Sequence, residues 1–223
     1  MENVKAALVG LAVFWFVSCS SQEQQLLNTF FTAVREGDEA GLSRISLATF
    51  TGSVDSWEII ETGPESVTQF GLSDLQEKLS KARSELRVHN DKAAYFLDDN
   101  RKLYDEYKKK QAAAPDQVLT GQLGSFQEEW EERVANQKAL EDEMGKLSNE
   151  ITELKGAAAL SVNTTVNDSF DGSVKGKELR LRIDDGSGAK DYRFSLIRYD
   201  LENKASKLTP RARWIIADIK EQA

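Results

Sequence analysis

The chain has 223 residues, enough for one substantial domain with an extension or for two small domains. Charged residues make up 30% and the formal net charge is −8, which argues against a nucleic-acid partner, since that needs basic patches. One cysteine, Cys19, excludes a disulfide framework and a cysteine metal site.

Reading from the start, Met1-Glu2-Asn3-Val4-Lys5 precedes an apolar run from Ala6 to Val17. A helix needs about 20 apolar residues to span a bilayer, so this run is too short. It has the length of the apolar part of a secretory signal. Phe16-Val17-Ser18-Cys19 resembles the bacterial lipobox, with a small residue directly before the cysteine. The resemblance implies a diacylglycerol on the Cys19 thiol, cleavage after Ser18 and a fatty acyl chain such as palmitate on the new amine. Residues 1–18 would then be a signal peptide and Cys19 a lipidation site. Several acyl chains hold a protein firmly to a membrane. Ser20 is not the aspartate associated with inner-membrane retention, so the implied location is the outer membrane, facing the periplasm. The alternative is an ordinary signal peptide that ends at a cysteine by chance.

Residues 19–25 read as a polar tether. Leu26, Leu27, Phe30, Phe31 and Val34 follow at helical spacing, with Gly37-Asp38 as the stop. Leu42 and Ile45 suggest a short second helix. Val54 to Ile60 reads as a strand closed by Gly63-Pro64.

From Leu72 the pattern becomes a heptad seam: Leu72, Leu75, Leu79, Ala82, Leu86, His89, Ala93, Phe96, Asn100, Leu103 and Tyr107. It ends at Lys108-Lys109-Lys110 and breaks at Ala114-Pro115. A second seam runs Leu119, Leu123, Phe126, Trp130, Val134, Gln137, Leu140, Met144, Leu147, Ile151, Leu154, with a stutter at Phe126-Trp130-Val134. Two long helices joined by a short turn predict an antiparallel coiled-coil hairpin over residues 72–155. Each arm of about 36 residues would reach roughly 54 Å. A turn near Pro115 places Phe96 opposite Val134, Asn100 opposite Trp130 and His89 opposite Leu140.

After Gly156 the apolar period becomes two. Val162, Thr164 and Val166 alternate, as do Leu179, Leu181 and Ile183. Asp171-Gly172 and Lys175-Gly176 read as turns. Asp185-Gly186-Ser187-Gly188 is the turn of a β-hairpin returning through Tyr192, Phe194 and Leu196. Arg213 to Ile219 is the last strand.

Leu26 to Asp38, Tyr192 to Arg198 and Arg213-Trp214-Ile215-Ile216 resemble the opening helix and closing strands of nuclear-transport-factor-2-like (cystatin-like) domains. The resemblance covers about residues 22–70 and 160–220. It implies an α+β fold, a curved antiparallel sheet packed on N-terminal helices over 26–71 and 157–223, with the hairpin inserted. Phe30, Phe31, Trp57, Phe194 and Trp214 would share its core.

No catalytic or metal set emerges. A metal site needs several ligands, and His89 is the one histidine. It and Asn100 read as polar seam residues, the asparagine setting register. Asp98-Asp99, Glu128-Glu129, Glu131-Glu132 and Asp184-Asp185 fall on helix exteriors or in turns. There is no phosphate loop of the G-x-x-x-x-G-K type and no G-x-S-x-G. No cofactor is expected.

Three functions compete. The first is a non-enzymatic, membrane-anchored envelope lipoprotein whose hairpin serves protein–protein interaction, self-association or spacing. The second is a small-ligand-binding or enzymatic cystatin-like domain. The third is an adaptor-like periplasmic component of an export system, whose relatives also carry helical hairpins.

Overall fold

The computed structural model describes residues 21–115 and 117–222. Its elements are α1 (Gln22–Glu36), α2 (Glu39–Leu42), β1 (Ser56–Thr62), β2 (Ser66–Gln69), α3 (Leu72–Asp99), α4 (Arg101–Ala113), α5 (Gly121–Val162), β3 (Phe170–Asp184), β4 (Ala189–Asn203) and β5 (Ile215–Glu221). The fold is α+β, built on a five-stranded antiparallel sheet.

Helix α1 starts earlier than its apolar stripe. Ser21 Oγ accepts a hydrogen bond from the Gln24 N–H at 3.2 Å, satisfying one of the free N–H groups of the first turn. Gln22 to Gln25, expected as tether, are therefore helical. Gly37 ends the helix at φ 67°, a left-handed conformation that glycine adopts without steric cost. The next residue, Asp38, caps α2 by accepting from the Gly41 N–H at 2.9 Å.

The spine is the β3–β4 hairpin, paired without interruption from Phe170↔Asn203 to Asp184↔Ala189. Its turn lies where expected. Asp184 Oδ1 accepts from the Gly186 N–H and Asp185 Oδ1 from the Ser187 N–H, both at 2.9 Å. β1 and β2 lie in succession along the outer side of β3, and β5 lies along β4. The first strand runs from Ser56 rather than Val54, and the last from Ile215 rather than Arg213. β2 was not anticipated.

Two expectations fail in this region. The Asp171-Gly172 and Lys175-Gly176 pairs are strand residues, not turns. Gly172 is needed there because a Cβ would run into the carbonyl oxygen of Asp200 on β4. The Val162–Val166 alternation is not a strand either, because α5 continues through Gly156 to Val162.

The long strands carry two cores, on opposite faces and at opposite ends. Near the turn, Leu179, Leu181, Ile183, Phe194 and Leu196 point to α1 and the 42–54 segment. With Leu27, Phe30, Phe31, Trp214 and Ile216 they form the first core. Toward the other end the apolar phase shifts by one residue. Val174, Ile197, Tyr199 and Leu201 point the opposite way, onto α3 and α5. There they meet Phe70, Leu72, Leu79, Ala82, Leu147, Ile151, Ala158 and Val162. Side chains alternate faces along a strand, so one-residue shifts without a bulge mean a change of covered face.

Candidate functional site

Three places could carry function: the face of the sheet covered by α1, the helix pair, and Cys19. Cys19, with the lipobox resemblance around it, lies outside the described residues.

The space between α1 and the sheet is filled. Phe30, Phe31 and Phe194 have no exposed surface, and Trp214 is also buried. Their rings pack edge-on or tilted, with Phe30–Phe194 centroids 5.9 Å apart and Phe31–Trp57 centroids 4.9 Å apart. The expected grouping of Phe30, Phe31, Trp57, Phe194 and Trp214 is thus present, and it occupies the room a ligand would take. At the rim, Lys177 reaches Glu23 of α1 at 2.5 Å and stands over the Trp214 ring at 5.5 Å. Arg198 also lies over that ring, 5.1 Å from its centroid. Burial pushes the Glu23 carboxyl up, but the Lys177 ammonium and hydrogen bonds near the helix start outweigh it. The group ends below its usual range.

On the helix pair, α3 and α5 pack through small and aliphatic side chains near the sheet and through aromatic ones further out. His89 Nε2 donates to the Arg133 carbonyl at 2.8 Å, so this ring nitrogen carries a proton. Phe96 stacks on Phe126 with centroids 5.4 Å apart, and the Arg133 guanidinium covers the other contact at 4.3 Å from the Phe96 centroid. The Arg133 Nε is buried without a hydrogen-bond partner among the described residues. Its attraction to the ring face offsets part of that loss. Further out, Tyr104 packs on Trp130 and Tyr107 on Phe126, at 5.7 and 5.9 Å.

In α3 the pairing is therefore displaced from expectation by about two helical turns, whereas in α4 Tyr104 meets Phe126 at 6.4 Å, as a turn near Pro115 predicts. Phe96 meets Phe126 rather than Val134, and His89 meets Arg133 rather than Leu140. Asn100 is the reason on one side. It is not a buried register residue within a continuous helix; it breaks the arm into α3 and α4. Its Nδ2 donates to the Phe96 carbonyl at 2.9 Å, alongside its own backbone N–H at 3.1 Å. Such a side-chain bond competes with the helical ladder and bends the axis. On the other side, residues 114, 115 and 117–120 are non-helical, so the connection is longer than a tight turn.

The outermost segment is bare. Lys108 to Pro115 are all exposed, as is Val118, an apolar residue with 84% of its surface in solvent.

Sequence reasoning missed Ser161. It is fully buried at the junction of α5 and the sheet. Its Oγ donates to the Arg213 carbonyl at 2.7 Å and accepts from the Tyr199 N–H at 3.1 Å. Its own carbonyl accepts from the Arg213 N–H at 3.0 Å. One serine thus replaces the ladder bonds that β5, starting only at Ile215, does not supply to β4. The signal was a lone polar residue inside the apolar run Ala157 to Val162.

Among the described residues no group of three or more histidine, cysteine or acidic residues is placed to hold a metal ion. Among them, no helix is long and apolar enough to cross a membrane. No family model matches the chain, and no curated protein or solved structure does.

Proposed function

We propose that this protein is a non-enzymatic envelope lipoprotein. It is held to a membrane through acylated Cys19 and uses its helix pair as an antiparallel coiled-coil hairpin to meet a protein partner. In this reading the sheet and α1 form a cystatin-like body near the outer membrane, and residues 108–118 are presented to the periplasm. The observation that carries it is the contrast between a filled interior and a bare tip. The space where a ligand would sit is taken by Phe30, Phe31 and Trp214. The tip instead offers Ala112 to Ala114 and Val118 beside Lys108 to Lys110, all exposed. Small apolar residues ringed by cations suit a partner with an apolar groove and an acidic rim.

Photo-crosslinking from position 113 in cells tests the contact. A discrete adduct that Val118→Asp abolishes is expected, with the variant's circular dichroism unchanged. An adduct pattern untouched by Val118→Asp overturns it. Tip substitution is preferable to deleting residues 80–147, since that deletion takes Ala82 and Leu147 out of the second core. The anchor has its own readout: labelled palmitate enters the protein and fails to enter Cys19→Ala.

A further inference from the structure

The chain is acidic overall, yet two adjoining surface grooves are lined by cations and by no carboxylate. One, of about 510 Å³, is bordered by Arg44, Lys155, Arg213 and the Asn163–Val166 segment. The other, of about 330 Å³, is bordered by Arg211, Arg213 and Trp214 together with Gln22 and Gln25 from the first turn of α1. Arg213 belongs to both. Its guanidinium donates to the carbonyls of Arg44 and Leu160 at 2.9 and 3.2 Å, so it is spent on holding the α5 end to the 44–46 segment. Carbonyl partners orient it without neutralising its charge. Arg44 and Arg211 are exposed, and among the described residues no carboxylate lies within salt-bridge distance of either. Lys155 shares Asp168 at 2.5 Å.

A second observation points the same way. Leu47 and Leu208, exposed by 51% and 68%, each lie three residues from one of these arginines, Arg44 and Arg211. Exposed leucines interspersed with arginines match a membrane interface, where apolar tips enter the headgroup layer and cations meet phosphate.

We infer that the surface carrying Arg44, Arg211 and Arg213, with exposed Leu47 and Leu208 close by in the chain, lies against the anionic phospholipid headgroups of the membrane. The inference rests on the Cys19 reading above. Two steps along the chain, of at most about 3.6 Å each, lead from Cys19 to Ser21, the cap of α1. Gln22 and Gln25 of that first turn already line the second groove. An acyl anchor at Cys19 therefore brings the bilayer to the side of the protein where Gln22 and Gln25 share a groove with Arg211 and Arg213, and the potential of an anionic bilayer surface acts over about a Debye length. Each basic residue held at such a surface raises partitioning about 5-fold.

Acylated protein in phosphatidylethanolamine vesicles containing a photo-crosslinkable phosphatidylglycerol tests the surface, with intact mass recorded on the same preparation. Adducts concentrated in the peptides holding Arg44 and Arg211 are expected. The double substitution Arg44→Gln and Arg211→Gln should weaken them at least about 5-fold, because each exposed cation contributes a factor of that size. Among the described residues neither side chain makes a hydrogen bond or an ion pair, so the variant is expected to keep its fold. Adducts spread over the sheet and the helix tip, or unchanged in the double variant, overturn the surface. A mass lacking acyl chains overturns the anchor instead. In that case the surface stands if the unacylated protein gives the same salt-sensitive adducts, and falls if it gives none.

Discussion

The core around α1 and the aromatic cluster at the far end of the helix pair differ in how they are built. Around α1, three phenylalanines with no exposed surface are locked between a helix and a sheet, with aliphatic strand residues on every side. At the far end of the helix pair, a single layer of aromatic rings surrounds Phe126, and Tyr107, Leu123 and Phe126 are its buried members. The first is packed in three dimensions. The second is a stack between two helices that water reaches from both sides. Rigidity should therefore fall along the molecule from the sheet to the tip.

The comparison can be broken with one substitution in each place. Phe31→Ala removes a fully enclosed ring and leaves a cavity, costing about 3–5 kcal/mol of global stability in denaturant unfolding. Phe126→Ala removes a ring that Phe96, Tyr104 and Tyr107 all touch. Its cost is up to about 3 kcal/mol and should be local, since the helices on both sides can relax. Amide exchange should speed up in α4 and the first half of α5 while β3 and β4 stay protected. Equal loss of protection in the sheet would mean that the two regions unfold as one unit.

These differences also explain what the sequence reveals. The first core was legible because α1 and the 179–183 and 192–196 segments each keep one apolar phase, and each phase faces one partner. The long helices were legible as helices from their apolar stripes, though the break at Asn100 was not. β3 was not, because its apolar residues change phase between Val174 and Leu179, as the strand passes from one helix layer to the other. A phase change, with Gly172 and Gly176 nearby, looks the same in sequence as a turn. β2 has no buried residue, so it leaves no periodic trace. Ala157 to Ala159 and Val162 fit either a helix or a strand, and only packing on Tyr199 and Leu201 selects the helix. The cationic grooves draw on residues 44, 155, 211 and 213, which no local pattern links.

The junction between the two regions offers a smaller effect. Ser161→Ala leaves the Tyr199 N–H and the Arg213 carbonyl short of a partner in a buried place. It should cost about 1–3 kcal/mol. Because this residue ties α5 to β4, exchange should rise at Tyr199 and in the last turn of α5, with the first core unaffected. Ser161→Thr keeps the hydroxyl but adds a methyl to a site with no free surface. It should not fully restore stability.

The smallest effect belongs to the rim of the first core, and pH resolves it. Glu23 is mostly shielded, its side chain 14% exposed and its partner Lys177 17% exposed. Folding lowers its carboxyl from the ordinary value of 4.5, despite the burial that opposes this. A carboxyl lowered on folding contributes its full stabilisation above the unfolded value. That contribution fades as pH drops through the lower, folded value. Glu23→Gln keeps the shape of the side chain and removes the charge, at a cost of roughly 1 kcal/mol near neutral pH, between the values for buried and surface pairs. The gap between wild type and variant should hold steady down to about pH 5 and then close in more acidic solution. A gap independent of pH would assign the loss to packing at the α1 start rather than to the Lys177 ion pair. A gap that closes would show that the less enclosed edge of the first core, where Lys177 and Arg198 both cover Trp214, is held by charge as well as by burial.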